Sequence, residues 1–179
     1  MTETEIVTLV AEAVSWLDQM RAQYRPVATS LDEPQKTMMR PFFPAELLER
    51  VRVADLSATG EHVPYPAFYS RVRAGGSRVL PDPAHLSSIP LIDLAAFGQK
   101  PNARTLFHVL VHITQFMILG VERFVELYVR GLNEKGSYIL VSLVDQAYEL
   151  DTRFTKDPSD TFSVAGEVRK WTQSGRYDR

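Results

Sequence analysis

The stretch Leu106-Phe107-His108-Val109-Leu110-Val111-His112-Ile113-Thr114-Gln115-Phe116 decides how the rest of this chain is read. It lies in the longest apolar run and holds two of the four histidines, spaced i and i+4. On a helix that spacing puts both imidazoles on one face. They can then address a single ion about 2.0–2.1 Å away, which is half of a zinc site. The spacing suits equally two core histidines hydrogen-bonded to carbonyls or carboxylates. Gln115, Leu119, Glu122 and Glu126 continue the same stripe. Glu122 sits roughly 15 Å beyond His112 along a straight helix, so it reaches the same ion only if the chain breaks sharply at Gly120.

The bulk numbers frame that question. A chain of 179 residues is long enough to bury a core without staples, and is read as a single domain. Residues 1–100 form an N-terminal helix and a sheet-building part, and 101–179 form a helical part. Apolar content of 45%, charged content of 23% and a net charge of −2 are those of a soluble globular protein. Scattered Lys and Arg give no footprint for nucleic acid. The absence of cysteine leaves His, Asp, Glu and backbone oxygen as the only metal donors. The acidic N-terminus does not read as a signal peptide. The apolar segment 106–121 falls short of the roughly 20 residues that span a bilayer. The expectation is a cytoplasmic protein without nucleic-acid or membrane partners.

Along the chain, 3–24 reads as an amphipathic helix stopped by Pro26, and 25–44, with four prolines, as a loop or extended wrap. Residues 45–50 suit a short helix. Val51-Arg52-Val53-Ala54-Asp55-Leu56 alternates as a half-buried strand does. Phe68, Tyr69 and Val72 suit one short helix within a Gly/Pro-punctuated region, which also holds His62 and His85. These two are read as surface or capping residues, with a substitute ligand reaching the cleft as the alternative. Residues 89–97 read as a second strand whose one acid, Asp93, needs a partner from a neighbouring loop. A helix from Asn102 to Arg130 is interrupted at Gly120 and followed by a turn at 131–135. Helices over 140–154 and 162–171 complete an α+β pattern.

Two blocks carry a resemblance. Residues 106–116, followed by Leu119-Gly120 and Leu127-Tyr128-Val129-Arg130-Gly131, resemble a family of small bacterial zincin-like metallopeptidases, whose pattern is F-H-E-L-V-H-V-x-Q-Y, then L-G and Y-V-x-G-F. Leu143-Val144-Asp145-Gln146-Ala147-Tyr148-Glu149-Leu150 resembles that family's P-L-E-x-Q-A-Y-x-L. The resemblance covers the C-terminal half of the chain. It implies a zincin-like α+β fold, with a small sheet packed against a long His-bearing helix and a second C-terminal helix alongside. It also matches His108 and His112 to the zinc ligands, and Gln115 and Tyr148 to polar positions without an assigned role.

The departures matter more. Val109 stands where the family has its general-base Glu, and Val144 where it has the third ligand. A valine neither takes a proton from metal-bound water nor donates a lone pair, and losing a general base removes about 10²–10⁴ in rate. If both valines face one cleft, it has become drier and less negative. Glu149, or Asp145 beside Val144, remains as a displaced carboxylate ligand. Three functions are therefore carried forward. The first is a degenerate metallopeptidase-like protein whose cleft (Val109, Gln115, Val144, Tyr148) binds a small-molecule ligand or a protein partner, or performs repurposed chemistry, with no resident cofactor. The second is an enzyme using zinc or another divalent metal held by His108, His112 and Glu149. The third is a structural protein with two core histidines.

Overall fold

The computed structural model describes residues 1–57, 59–83 and 85–178. Helix α1 (Glu3–Tyr24) starts with a Thr2/Glu5 capping box. Strand β1 (Thr29–Ser30), helices α2 (Glu33–Met39) and α3 (Ala45–Arg50), strand β2 (Arg52–Asp55), helix α4 (Tyr69–Ala74) and strands β3 (Ser88–Leu91) and β4 (Leu94–Phe97) follow. The C-terminal half is helical: α5 (Ala103–Leu119), α6 (Val121–Lys135), α7 (Ser142–Lys156) and α8 (Val164–Gln173). The class is α+β.

The four strands form one mixed sheet in the order β1-β2-β4-β3, with β2 and β4 parallel and both outer pairs antiparallel. Alternation along β2 and β4 divides the interior into two cores. Ala54, Leu94 and Ala96 face α1, α6 and the aromatic end of α5. Val53, Ala95 and Phe97 face Leu106, Phe107 and Leu110 of α5, together with α7 and α8. Helix α5 lies between these groups, which is why Leu106–Gln115 is apolar nearly all round and ten of the helix's residues are buried. Among the described residues, no single helix is long and apolar enough to cross a membrane.

Several local readings are corrected. Segment 25–44 is not a bare wrap. Asp32 and Gln35 form a capping box with Pro34 in the first turn, and this starts α2. The following turn delivers Phe42 and Phe43 to the core, where Phe42 meets Phe107 edge-on at 5.4 Å and Phe107 stacks on Phe154 at 4.4 Å. Residues 89–97 are not one strand but the β3–β4 hairpin, turning at Ile92-Asp93 with Ile92 at φ 69°. Asp93 finds its partners on the end of α1 rather than on a loop. It accepts from Arg21 at 2.6 and 2.8 Å and from Arg25 at 3.1 Å. Gly131 is not in a turn but inside α6, where a Cβ would come within 3.0 Å of Val141; its small size lets α6 pack closely there. The helix ends at Gly136, in the left-handed region.

Gly120 breaks α5 from α6, as its sequence position suggests, and the two axes differ by 115°. Its φ of 80° and ψ of 158° belong to a region open essentially only to glycine. A Cβ there would touch nothing within 4 Å, so the constraint is the backbone conformation alone. Gly120→Ala is therefore expected to destabilise the fold by about 1–3 kcal/mol, measured by urea unfolding with an unchanged m-value.

Candidate functional site

Helix α5 begins with a reciprocal Asn102/Thr105 cap, which sets the phase of everything after it. In that phase His108 and His112 face the same way, with ring centroids 4.9 Å apart. Each ring is fixed through Nδ1. His108 Nδ1 lies 2.8 Å from Asp151 Oδ2, and Asp151 Oδ1 accepts from Arg104 Nε at 3.1 Å and Nη2 at 2.9 Å. Asp151, on α7, is 1% exposed, so these contacts replace nearly all its hydration. His112 Nδ1 lies 2.8 Å from Gln115 Oε1. The Gln115 amide nitrogen donates to the Leu143 carbonyl and to Gln146 Oε1, both at 3.0 Å. Tyr177 also donates to Gln146 Oε1.

This wiring determines tautomers. With the Gln115 amide nitrogen engaged as a donor, its oxygen is the acceptor, and His112 Nδ1 must carry the proton. Burial, then the neighbouring His108, lower the His112 pKa from 6.5 to about 3, so the ring is neutral with a lone pair on Nε2. Among the described residues neither Nε2 has a hydrogen-bond partner. Both histidines line a cavity of about 330 Å³. Most of its wall is apolar or aromatic, including Trp16, Leu17, Phe68, Phe116 and Phe124.

Val109 and Val144, 1% and 6% exposed, line the same cavity as His108 and His112. Tyr148 lines it too, with its ring 4.8 Å from that of His108. Gln115 is fully buried behind the wall and acts on the cavity through His112. Glu149 and Asp145 are exposed and are not in the lining, and Glu122 is also exposed. His85 is at the cavity's edge, largely exposed and 2.6 Å from Asp82, while His62 is on the surface. Among the described residues no group of three or more His, Asp or Glu is arranged to hold a metal ion.

The carboxylate that matters locally is Asp151, which the sequence reading passed over. Its position carried a signal: it lies two helical turns beyond Val144, on the same stripe of α7, while Arg104 lies one turn before His108. A buried acid there needed a cation, and α5 offered one. No protein-family model, curated protein or solved structure matches this chain.

The neutral His112 makes a pH prediction. Unfolded, the ring takes up a proton near pH 6.5; folded, it resists protonation until about pH 3. Between those values the unfolded state binds more protons, so stability falls as pH drops through this window. Comparing unfolding free energies at pH 7 and pH 4.5, a His112→Gln variant should lose less stability on acidification than the parent chain. An equal loss in both would show that His112 is not held neutral.

Proposed function

We propose that this chain is a degenerate, zincin-like protein that uses its former metal cleft to hold a small, mainly apolar ligand. One observation carries the reading: His108, His112, Val109 and Val144 line a single cavity of about 330 Å³. The two blocks that resemble the metallopeptidase pattern thus meet in space, and at their meeting point the general base and the third ligand are both replaced by valine. The size lies within the range of small-molecule sites, which are mostly apolar with a few polar groups. A protein with its histidines merely packed in a filled core would not keep such a space.

The residues present do not fit a resident zinc. Two imidazole nitrogens face the cavity, whereas a catalytic zinc site takes three protein ligands. Glu149 points away from it, and Asp151 is occupied by Arg104 and by the Nδ1 side of His108. One feature favours the metal-dependent alternative: both Nδ1 atoms are backed by side-chain oxygens, as metal-ligating histidines usually are. The same backing also serves ligand binding, because it orients the imidazoles without a metal. The Asp151 charge is matched by Arg104 and His112 is neutral, so an uncharged ligand suits the cavity best.

Two measurements test this. Protein purified without a His tag should contain no stoichiometric zinc, and the Val109→Glu, Val144→Glu pair should gain zinc that is lost when His108 and His112 are both changed to Ala. Zinc in the parent chain at one equivalent would overturn the reading. In the parent chain, 2-naphthol, an uncharged aromatic alcohol, should bind and raise the melting temperature. Val144→Trp, which fills the cavity, should weaken that binding by about tenfold or more, equivalent to ~1.4 kcal/mol.

A further inference from the structure

Away from the histidines, the cavity wall contains two tyrosines with a particular defect in their hydrogen bonding. Tyr69, at the start of α4, and Tyr128, on α6, place their hydroxyl oxygens 2.7 Å apart. Each phenol carries one proton. Whichever hydroxyl donates to the other, the pair spends one proton on itself and has a second left over. No other hydrogen bond joins either hydroxyl to a described residue. Burial raises the pKa of both phenols, so the pair keeps both protons. A buried donor without an acceptor is unfavourable, and both tyrosines line the cavity.

Resting on the cavity reading above, we propose that the Tyr69–Tyr128 pair is the oxygen-anchoring subsite of the cavity, donating its unshared O–H to an uncharged carbonyl oxygen of the ligand: a ketone, aldehyde, ester or amide. The position suits an elongated molecule. Helix α6 carries Phe124 against His112, with centroids 6.1 Å apart, and Tyr128 lies one turn farther along. The cavity thus has the neutral His112 imidazole on one part of its wall and a phenolic donor on another, with aromatic side chains between them. A carboxylate does not suit the tyrosine end. The cationic residue of the lining, Arg104, is already bonded to Asp151, and a desolvated anion without a counter-charge is far costlier than a neutral oxygen.

The test uses a matched pair of probes, acetophenone and α-methylstyrene, which differ in having C=O or C=CH2 at the same position. Both are titrated against the parent chain and the Tyr69→Phe, Tyr128→Phe double variant. Removing both partners leaves no orphaned hydroxyl, so this variant should fold normally. The expected result is that the acetophenone-to-α-methylstyrene affinity ratio falls about three- to tenfold in the variant, while α-methylstyrene affinity stays within about twofold. A ratio unchanged by the substitutions, with both probes bound, overturns the anchoring role and leaves the cavity reading standing. Failure of both probes to bind the parent chain overturns the two together. Infrared spectroscopy gives a readout that needs no variant: the carbonyl stretch of bound acetophenone should lie below its frequency in hexane, and an unshifted band overturns the proposal.

Discussion

A carboxylate with almost no exposed surface fastens the two halves of the candidate site. Asp151 on α7 receives Arg104 on one oxygen and His108 on the other, and both of these belong to α5. Since a buried charge is tolerable only when it is paired and hydrogen-bonded, the register of α7 along α5 is set by this contact. Two turns beyond His108 on α5, Gln115 reaches the Leu143 carbonyl near the start of α7 and the side chain of Gln146. The helices are thus pinned by polar contacts at two levels. Between these levels lie Val109 and Val144, and the cavity opens beside them.

That arrangement separates positioning from chemistry. The Nδ1 side of each imidazole is committed to holding the ring, and the Nε2 side faces the cavity. An enzyme of the resembled kind would need a carboxylate at the valine positions to move protons and bind metal. On the proposed reading, apolar side chains at those positions forgo that capability and lower the desolvation penalty for an uncharged guest. On that reading the cavity selects ligands that bring few polar groups, each of which must find its partner in the wall.

Much of the framework was legible from residue order, because its causes are local. Helix α1 was visible in its period, and the break at Gly120 followed from a residue that tolerates φ above zero. What escaped was decided by partners distant in sequence or by a single turn. The β3–β4 hairpin looked like one strand because Ile92, held at positive φ, is no turn former and Asp93 is a lone turn-favouring residue in an apolar run; Arg21 at the end of α1 and Arg25 just after it hold the acid in place. Gly131 looked like a turn because the approach of Val141, which explains it, is a tertiary contact. The role of Asp151 needed α5 and α7 to be adjacent before its position meant anything. The Tyr69–Tyr128 contact, spanning two elements with no common motif, had no counterpart in the linear pattern.

The sheet has a further property in how it ends. One margin is β1, only two residues long, and the other is β3, which carries Pro90 and so lacks an amide hydrogen at that position. Strand margins that offer few consecutive donors are poor templates for another chain. Strands β3 and β4, built mainly from apolar residues, would otherwise be an invitation to edge-to-edge growth at high concentration. Here a short strand and a proline make the sheet self-limiting, so the open cavity beside β3 can exist without the neighbouring strand recruiting copies of itself.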